Sequence, residues 1–130
     1  MPNLPITPPT IAPPAARYHL GVVVPAGSRM LYTAGIVGQR PDGSISDDIG
    51  EQAAEVWRSI GAILDEAGFS VADIVSYSTY AVVGNALATV MAARDSFLGD
   101  HAAASLLLPV PALAQATWKV EIAVVAASTT

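Results

Sequence analysis

The sequence predicts an α+β domain in which two helices cover one face of a single mixed β-sheet. Two stretches with apolar residues at helical spacing alternate with strand-like stretches, as in a layered arrangement of helices and a sheet. Strand pairs separated by turn residues stand near both ends of the chain and predict antiparallel hairpins. With 130 residues and no cysteine, the chain is one domain that is large enough to bury a core without disulfides.

Composition limits the class of function. Apolar residues make up 52% of the chain and charged residues only 13%, which suggests that another subunit covers part of the apolar surface. The net charge is −5, and six scattered basic residues do not supply the basic face that a nucleic-acid partner requires. The two histidines, His19 and His101, have no acid cluster beside them in sequence, so we expect neither a metal site nor another cofactor.

The N-terminus is rich in proline, with six of the ten prolines in the first 14 residues. Because proline at this density favours extended chain, we interpret residues 1–15 as an arm, 16–127 as the folded domain and 128–130 as a tail. The arm lacks the basic start and apolar run of a signal peptide. No stretch reaches the ~18 consecutive apolar residues of a membrane span. We therefore expect a cytoplasmic protein that has no membrane partner.

The first predicted elements are two strands joined by a short turn. Residues 18–24 and 30–37 alternate in a strand pattern, and the turn between them predicts a hairpin. Tyr18 opens the first of these strands, where it either lines a pocket or is an ordinary half-buried aromatic residue. Gly35 and Gly38 lie near the end of the second strand. They mark either a place where a ligand meets bare backbone or a simple bulge.

The first helix is the clearest element of the sequence. Asp48 is placed as its N-cap, and Glu51 stands three residues later as the reciprocal partner in a capping box. Apolar residues follow at helical spacing, and Gly68 suits the left-handed position after the last turn. The predicted helix therefore spans residues 49–67 and directs its apolar stripe to the sheet.

The next elements are a strand, a second helix and a further strand. Residues 74–83 predict a strand, and residues 85–98 predict a helix with Asn85 as its N-cap. Arg94 interrupts the apolar stripe of this helix. It either anchors an anionic substrate or lays its stem over the core with its head in water. Residues 105–110 predict a strand that either bends or lies at a sheet edge, because prolines occur at its end.

The closing strand carries an acid among apolar residues. Residues 118–126 alternate, with Trp118 on the bulky face and Glu121 on the other face together with Lys119. A carboxylate is costly to bury unpaired, so Glu121 is either paired with Lys119 on a wet surface or functional. If both helices lie on the bulky face, the face with Glu121 has no cover from its own chain, which favours oligomerisation. An acid that is partly buried there suits proton transfer or the holding of a water molecule.

Several motifs, in this order along the chain, resemble those of the Rid proteins, also called the YjgF family. The resemblance covers about residues 12–126 and implies the chorismate-mutase-like α+β fold. It also implies a homotrimer whose sheets pack inward, with small-molecule clefts between subunits. The stretches that carry the resemblance are Leu31-Tyr32-Thr33-Ala34-Gly35, Pro41-Asp42-Gly43, residues 67–75 and residues 120–126, together with Tyr18 and Gln52.

The resemblance also implies a reaction and roles for particular residues. Family members that are enzymes hydrolyse reactive enamines and imines to ketones or ketoacids and ammonia. In this chain the resemblance implies that Glu121 positions the attacking water while Tyr18 and the backbone around Gly35 line the cleft. An Arg binds the substrate carboxylate in the family, and Ala104 stands at its place. Since alanine cannot make that bidentate contact, we expect weak or no activity on small 2-imino acids.

Other departures from the family pattern also make the expected cleft less polar. We therefore expect a larger, less anionic substrate that undergoes hydrolysis or tautomerisation at an imine, enamine or enol-like centre, with Glu121 as acid and base. The alternative is a non-catalytic small-molecule-binding or interaction protein on the same scaffold. Nuclease activity is least favoured, since the chain is acidic and has no basic track. The expected substrate-binding residues are Tyr18, Ala34, Gly35, Ile36, Met91, Arg94, Ala104, Leu106 and Trp118.

Overall fold

The main elements are seven strands and two helices along residues 2–130, the part of the chain that this computed structural model describes. No helix within this range is long and apolar enough to cross a membrane. A short 3-10 turn at Val71–Asp73 precedes the fifth strand. The elements follow in the order β1 (Leu4–Ile6), β2 (Gly21–Val23), β3 (Arg29–Tyr32), β4 (Ile36–Val37), α1 (Ile49–Ala67), β5 (Ile74–Val82), α2 (Leu87–Leu98), β6 (Ala104–Val110) and β7 (Val120–Ser128).

The main sheet is mixed, as the sequence predicts. Its strands lie in the order β3-β7-β5-β6, and β4 also pairs with β7. β5 and β6 are parallel, whereas every pairing with β7 is antiparallel. β6 lies at the end of this order and contains Pro109, so of the two predicted alternatives it has the edge position.

The two predicted hairpins are wrong. β2 does not pair with β3; it pairs instead with β1, whose residues fall within the predicted proline-rich arm. β6 and β7 are likewise not neighbours, because β5 lies between them. Turn residues indicate where a chain reverses, but they do not decide which strands become hydrogen-bonded neighbours in the sheet.

The first helix begins and ends where the sequence predicts. Asp48 accepts a hydrogen bond from the Glu51 N–H at 2.9 Å, and Gly68 adopts φ 78° after the last turn. The reciprocal half of the predicted capping box does not form. The Glu51 carboxylate instead accepts from the Ser46 hydroxyl at 2.7 Å, so a residue before the cap takes over that contact.

The second helix begins at Leu87 rather than at Asn85. The Asn85 side-chain amide donates to the Val82 carbonyl at 2.9 Å and thereby closes the turn that follows β5. Ala86 is the residue at the N-cap position, and it has no side chain that can accept a hydrogen bond. The predicted Asn85 cap is therefore wrong, because the turn uses its side chain.

Both helices pack on one face of the main sheet and leave the other face bare. Trp57 of α1 stacks on Phe97 of α2, with ring centroids 5.0 Å apart, and this contact joins the helix layer. The core beneath it includes Val56, Ile60, Leu64, Tyr77, Ala81, Val120, Ile122 and Val124. No helix within residues 2–130 covers the second face. We call it the open face, formed by Tyr32, Val37, Ser76, Ser78, Tyr80, Ala104, Leu106, Leu108, Glu121, Ala123 and Val125.

Candidate functional site

Glu121 lies on the open face, near the start of β7, and is half-buried. Val37 of β4 is its register partner on one side, and Tyr80 of β5 is its partner on the other. Its carboxylate forms no hydrogen bond or ion pair with residues 2–130. Lys119, the surface partner that the alternation along the strand suggests, donates from its ammonium group to the Asp47 carbonyl instead. Glu121 is therefore a half-buried acid with no partner within the described residues.

A β-bulge brings the backbone of residues 33–35 next to this acid. Four residue steps from Tyr32 to Ile36 run opposite three steps from Val125 to Ile122, so this strand carries one extra residue. Thr33 stabilises the irregular stretch, since its hydroxyl accepts from the Val124 N–H at 2.9 Å. Bulges redirect the chain locally, and this one directs the exposed backbone of residues 34–35 toward Glu121.

Gly35 contacts the Glu121 side chain directly. A β-carbon at Gly35 would lie 2.7 Å from Glu121 Cδ and 3.0 Å from Cγ, and it would overlap Oε2. Real Cβ atoms do not approach other heavy atoms so closely, so only glycine leaves room for the carboxylate in this position. Of the two alternatives for this glycine, the bulge is present, and the Glu121 side chain lies against its bare backbone.

The bulge also leaves two backbone donors without protein partners. The N–H groups of Ala34 and Gly35 make no hydrogen bond to residues 2–130, whereas the neighbouring Thr33 N–H donates to the Val124 carbonyl at 3.0 Å. Both residues are exposed. Free N–H groups beside an acid are suited to holding an oxygen of a ligand or of a reaction intermediate.

Tyr80 and Ser78 are the polar residues of β5 nearest to Glu121, and the sequence alone does not single them out. Both lie on the open face, where Tyr80 is opposite Glu121 and Ser78 is opposite Ala123. Alternation along β5 indicates that they share a face, but only the register with β7 brings Tyr80 beside the acid. No pattern within β5 alone contains that register.

The predicted site residues at β6 lie away from Glu121 within one chain. The N–H of His19 donates to the Ala103 carbonyl at 2.9 Å. This bond places Tyr18, the preceding residue, beside the start of β6. Ala104 is opposite Ser76 of β5. Ser76 precedes Tyr80, the partner of Glu121, by four residues, and β5 separates β6 from β7. Strand geometry then gives about 16 Å between the backbones of Ala104 and Glu121. Leu106 follows Ala104 by two residues on β6 and is opposite Ser78 of β5.

The remaining predicted residues are on other surfaces. Met91 and Arg94 line a narrow crevice between α2 and the helix side of the sheet, and the Arg94 guanidinium pairs with Asp95 at 2.9 Å. Ile36 is opposite Ile122 on the same helix side. Trp118 precedes β7 rather than lying in it, and it lines a surface cavity of ≈ 170 Å³. None of these four side chains faces Glu121 from within the same chain.

A larger cavity of ≈ 430 Å³ lies between the first and last residues of the described chain, away from Glu121. Both histidines line it, and the His101 Nε2 is 2.8 Å from the Ile74 carbonyl. Asp73 also lines it, but its carboxylate is engaged with the Ser70 N–H at 2.8 Å. Within residues 2–130 no three histidine or acidic side chains are grouped so that they could hold a metal ion.

Comparison with known proteins identifies the family. Residues 10–128 match the family described as endoribonuclease L-PSP. A 2-iminobutanoate/2-iminopropanoate deaminase of Salmonella typhimurium is 32% identical over 73 residues, which are 55% of this chain and 57% of that protein. The match therefore spans little more than half the length of that curated relative.

Solved structures cover nearly the whole chain. A Rid-family protein of unknown function, YyfB from Yersinia pestis, has a TM-score of 0.83 and 28% identity, with 97% of this chain and 98% of that one covered. E. coli TdcF, solved with bound serine, has a TM-score of 0.71 and 29% identity over 96% of this chain and 98% of its own. The E. coli YjgF gene product has a TM-score of 0.69 and 30% identity, with 87% and 89% covered. The chain thus has the α+β YjgF fold and belongs to the Rid/YjgF/L-PSP family.

Proposed function

We propose that this chain is a divergent Rid-type protein that acts on an imine, enamine or enol-like centre of a small molecule, with Glu121 as its acid and base. The observation that carries this proposal is the unpaired Glu121 carboxylate held against Gly35. A carboxylate that makes no hydrogen bond or ion pair is free to accept a proton or to orient a water molecule. The surrounding open face is mostly apolar, which strengthens such an interaction.

The proposed hydrolysis uses Glu121 twice. The carboxylate accepts a proton from a water molecule as that water forms a bond to the imine carbon. It returns this proton to the nitrogen, which gives a carbinolamine. It then takes the hydroxyl proton and delivers it to the amine, so that the carbon–nitrogen bond breaks as the carbonyl bond forms, and the ketone and ammonia leave. In tautomerisation the same carboxylate takes a proton from carbon or oxygen and returns it to the other atom. The free N–H groups of Ala34 and Gly35 are placed to hold a developing negative charge on oxygen.

The proposed assembly is a homotrimer with the site between subunits. The open face exposes apolar side chains, with Tyr32 70%, Leu106 43% and Leu108 48% exposed, which favours burial against another subunit. The separation of about 16 Å between Ala104 and Glu121 in one chain adds support, by strand geometry. The β6 edge of a neighbouring subunit would bring Tyr18 and Ala104 near Glu121, which one chain does not do.

The proposed substrate is less anionic than a 2-imino acid. Arg94, the candidate anion anchor, is paired with Asp95 on the helix side, and Lys119 donates to a backbone carbonyl. No cation therefore accompanies Glu121 within residues 2–130, and a substrate carboxylate would meet like charge. The Salmonella relative named for 2-iminobutanoate and 2-iminopropanoate supports imine chemistry but not the same substrate.

The lack of a cation also favours a second candidate, a small-molecule binder without catalysis. The two candidates differ in what Glu121 does, because a binder uses it only for affinity. We expect a catalyst to accelerate the hydrolysis of an uncharged imine that an amine oxidase generates in the presence of a semicarbazide trap.

The decisive variant is Glu121→Gln, with Glu66→Gln as its control because Glu66 is an exposed acid on α1. The proposal expects Glu121→Gln to lose the acceleration and the control to keep it. Ligand binding without any acceleration by the unmodified chain would favour the binder. Full activity of Glu121→Gln would remove Glu121 from the chemistry.

A further inference from the structure

We propose that Tyr80 is a second ligand-contacting residue of the Glu121 site, a neutral hydrogen-bond donor that selects an uncharged carbonyl or enol compound. This inference rests on the proposed function, because it assigns the ligand class of the same site. It concerns a residue that stands opposite the acid on the open face and to which neither the motifs nor the comparisons give a role.

The register of the sheet brings the two residues together. Tyr80 and Glu121 are direct partners on antiparallel β5 and β7, and both side chains point to the open face. The β-carbons of such partners are about 5 Å apart, so both side chains border the same small space above the sheet. Tyr80 is half-buried, and the adjacent β6 partner is the apolar Leu108.

The two polar groups do not satisfy each other. The Glu121 side chain leans to the β4 side, where it lies against Gly35, whereas Tyr80 stands on the β5 side. The Tyr80 hydroxyl makes no hydrogen bond to any residue in the range 2–130, and neither does the Glu121 carboxylate. A donor and an acceptor that flank one space without pairing leave both groups available to a third molecule.

The chemistry of the pair specifies the ligand class. A tyrosine hydroxyl donates to a carbonyl or enol oxygen, and a carboxylate accepts from an enol or from an acidic carbon–hydrogen bond. Leu106, Leu108, Val37 and Ala123 around them favour an apolar body. An anionic ligand would lie next to Glu121 with no cation to offset its charge. The expected ligand is therefore a small, uncharged dicarbonyl-like molecule.

The test uses two probes of similar size in NMR titrations of the full chain. 2,4-Pentanedione is uncharged and partly enolic, and 2-oxobutanoate is its anionic counterpart. We expect the diketone to bind and to shift the ring signals of Tyr80, while 2-oxobutanoate binds at least about tenfold more weakly. Equal affinity for both probes, or no binding of either, would overturn the ligand class.

The matched variants are Tyr80→Phe and Tyr32→Phe, because Tyr32 is also on the open face but opposite Val125. Loss of one hydrogen bond to the ligand predicts about tenfold weaker binding for Tyr80→Phe and no change for Tyr32→Phe. If Tyr80→Phe fails to fold, the ring-signal shifts of the unmodified chain still decide the question. Unchanged binding by a folded Tyr80→Phe contradicts the inference. In that case the imine assay with Glu121→Gln still tests the proposed function separately.

Discussion

The carboxylate of Glu121 rests against the backbone of Gly35, with no room for a β-carbon between them. Gly35 does not have the positive φ that often explains a glycine, since Gly27, Gly43, Gly68, Gly84 and Gly99 are the residues of this kind within the described chain. Gly35 therefore matters for the space that its missing side chain leaves. The glycine leaves room for the acid, and the bulge brings the two together.

The first prediction tests that contact with Gly35→Ala. The added methyl group would force the flexible end of the Glu121 side chain to rotate away, which we expect to cost about 1 kcal/mol in the free energy of unfolding. Urea denaturation measures this cost. In a Glu121→Ala background the obstructing carboxylate is gone, so the same substitution should cost much less, as a double-mutant cycle would report.

The control for Gly35→Ala is Gly21→Ala in β2. A β-carbon at Gly21 would meet only Ile6 Cβ at 3.8 Å, an ordinary contact, so little change is expected. An equal cost of Gly35→Ala in both backgrounds would mean that the strain does not come from Glu121.

The helix and sheet that frame this site could be predicted from local signals, whereas the site itself could not. Asp48 and Gly68 mark the ends of α1 because capping is a property of neighbouring residues. The contact of Gly35 with Glu121 and the pairing of Tyr80 with Glu121 depend on which strands become neighbours. Turn residues do not encode that choice, which is also why both predicted hairpins were wrong.

The second prediction concerns Gln52, a fully buried polar side chain on α1. Its amide donates to the Ser46 and Thr117 carbonyls at 2.7 and 2.9 Å, and its oxygen accepts from the Lys119 N–H at 2.9 Å. Gln52→Leu keeps the volume but leaves these backbone groups unpaired. We expect a loss of about 2–4 kcal/mol in the free energy of unfolding, measured by urea denaturation.

Gln39→Leu is the matched control, since Gln39 is exposed and makes a single bond to the Gly43 carbonyl at 3.1 Å. Its expected change is within about 0.5 kcal/mol. A similar effect of the two substitutions would show that the Gln52 contacts do not stabilise the loop before β7.

The third prediction concerns the assembly. Light scattering after size-exclusion chromatography should give three times the 13.3 kDa mass of the chain. Leu106→Glu places a charge on the open face and should dissociate the trimer, because the desolvation of an unpaired carboxylate is costly. Ala62→Glu places the same charge on an exposed part of α1 and should leave the mass unchanged. A monomeric unmodified chain at micromolar concentration would contradict the proposed inter-subunit site.

The last prediction concerns an anion-binding side chain added at Ala104. The unmodified chain should accelerate the hydrolysis of small 2-imino acids weakly or not at all. The assay uses imines that an amino-acid oxidase makes freshly, with semicarbazide present as a competing trap for the imine. Ala104→Arg should raise kcat/KM by about 10- to 100-fold, since a charge-assisted contact to a carboxylate contributes about 1.5–3 kcal/mol.

The matched control for this gain is Ala112→Arg, which adds the same charge in the exposed segment after β6. A general electrostatic effect would raise kcat/KM equally in both variants, whereas a specific contact would raise kcat/KM only in Ala104→Arg. Because Ala104 lies about 16 Å from Glu121 within one chain by strand geometry, the gain should also require the trimer and disappear when the protein is diluted until it is monomeric. Persistence of the gain in a monomer would mean that the carboxylate binds apart from Glu121, and the cleft between subunits would not be the site of the reaction.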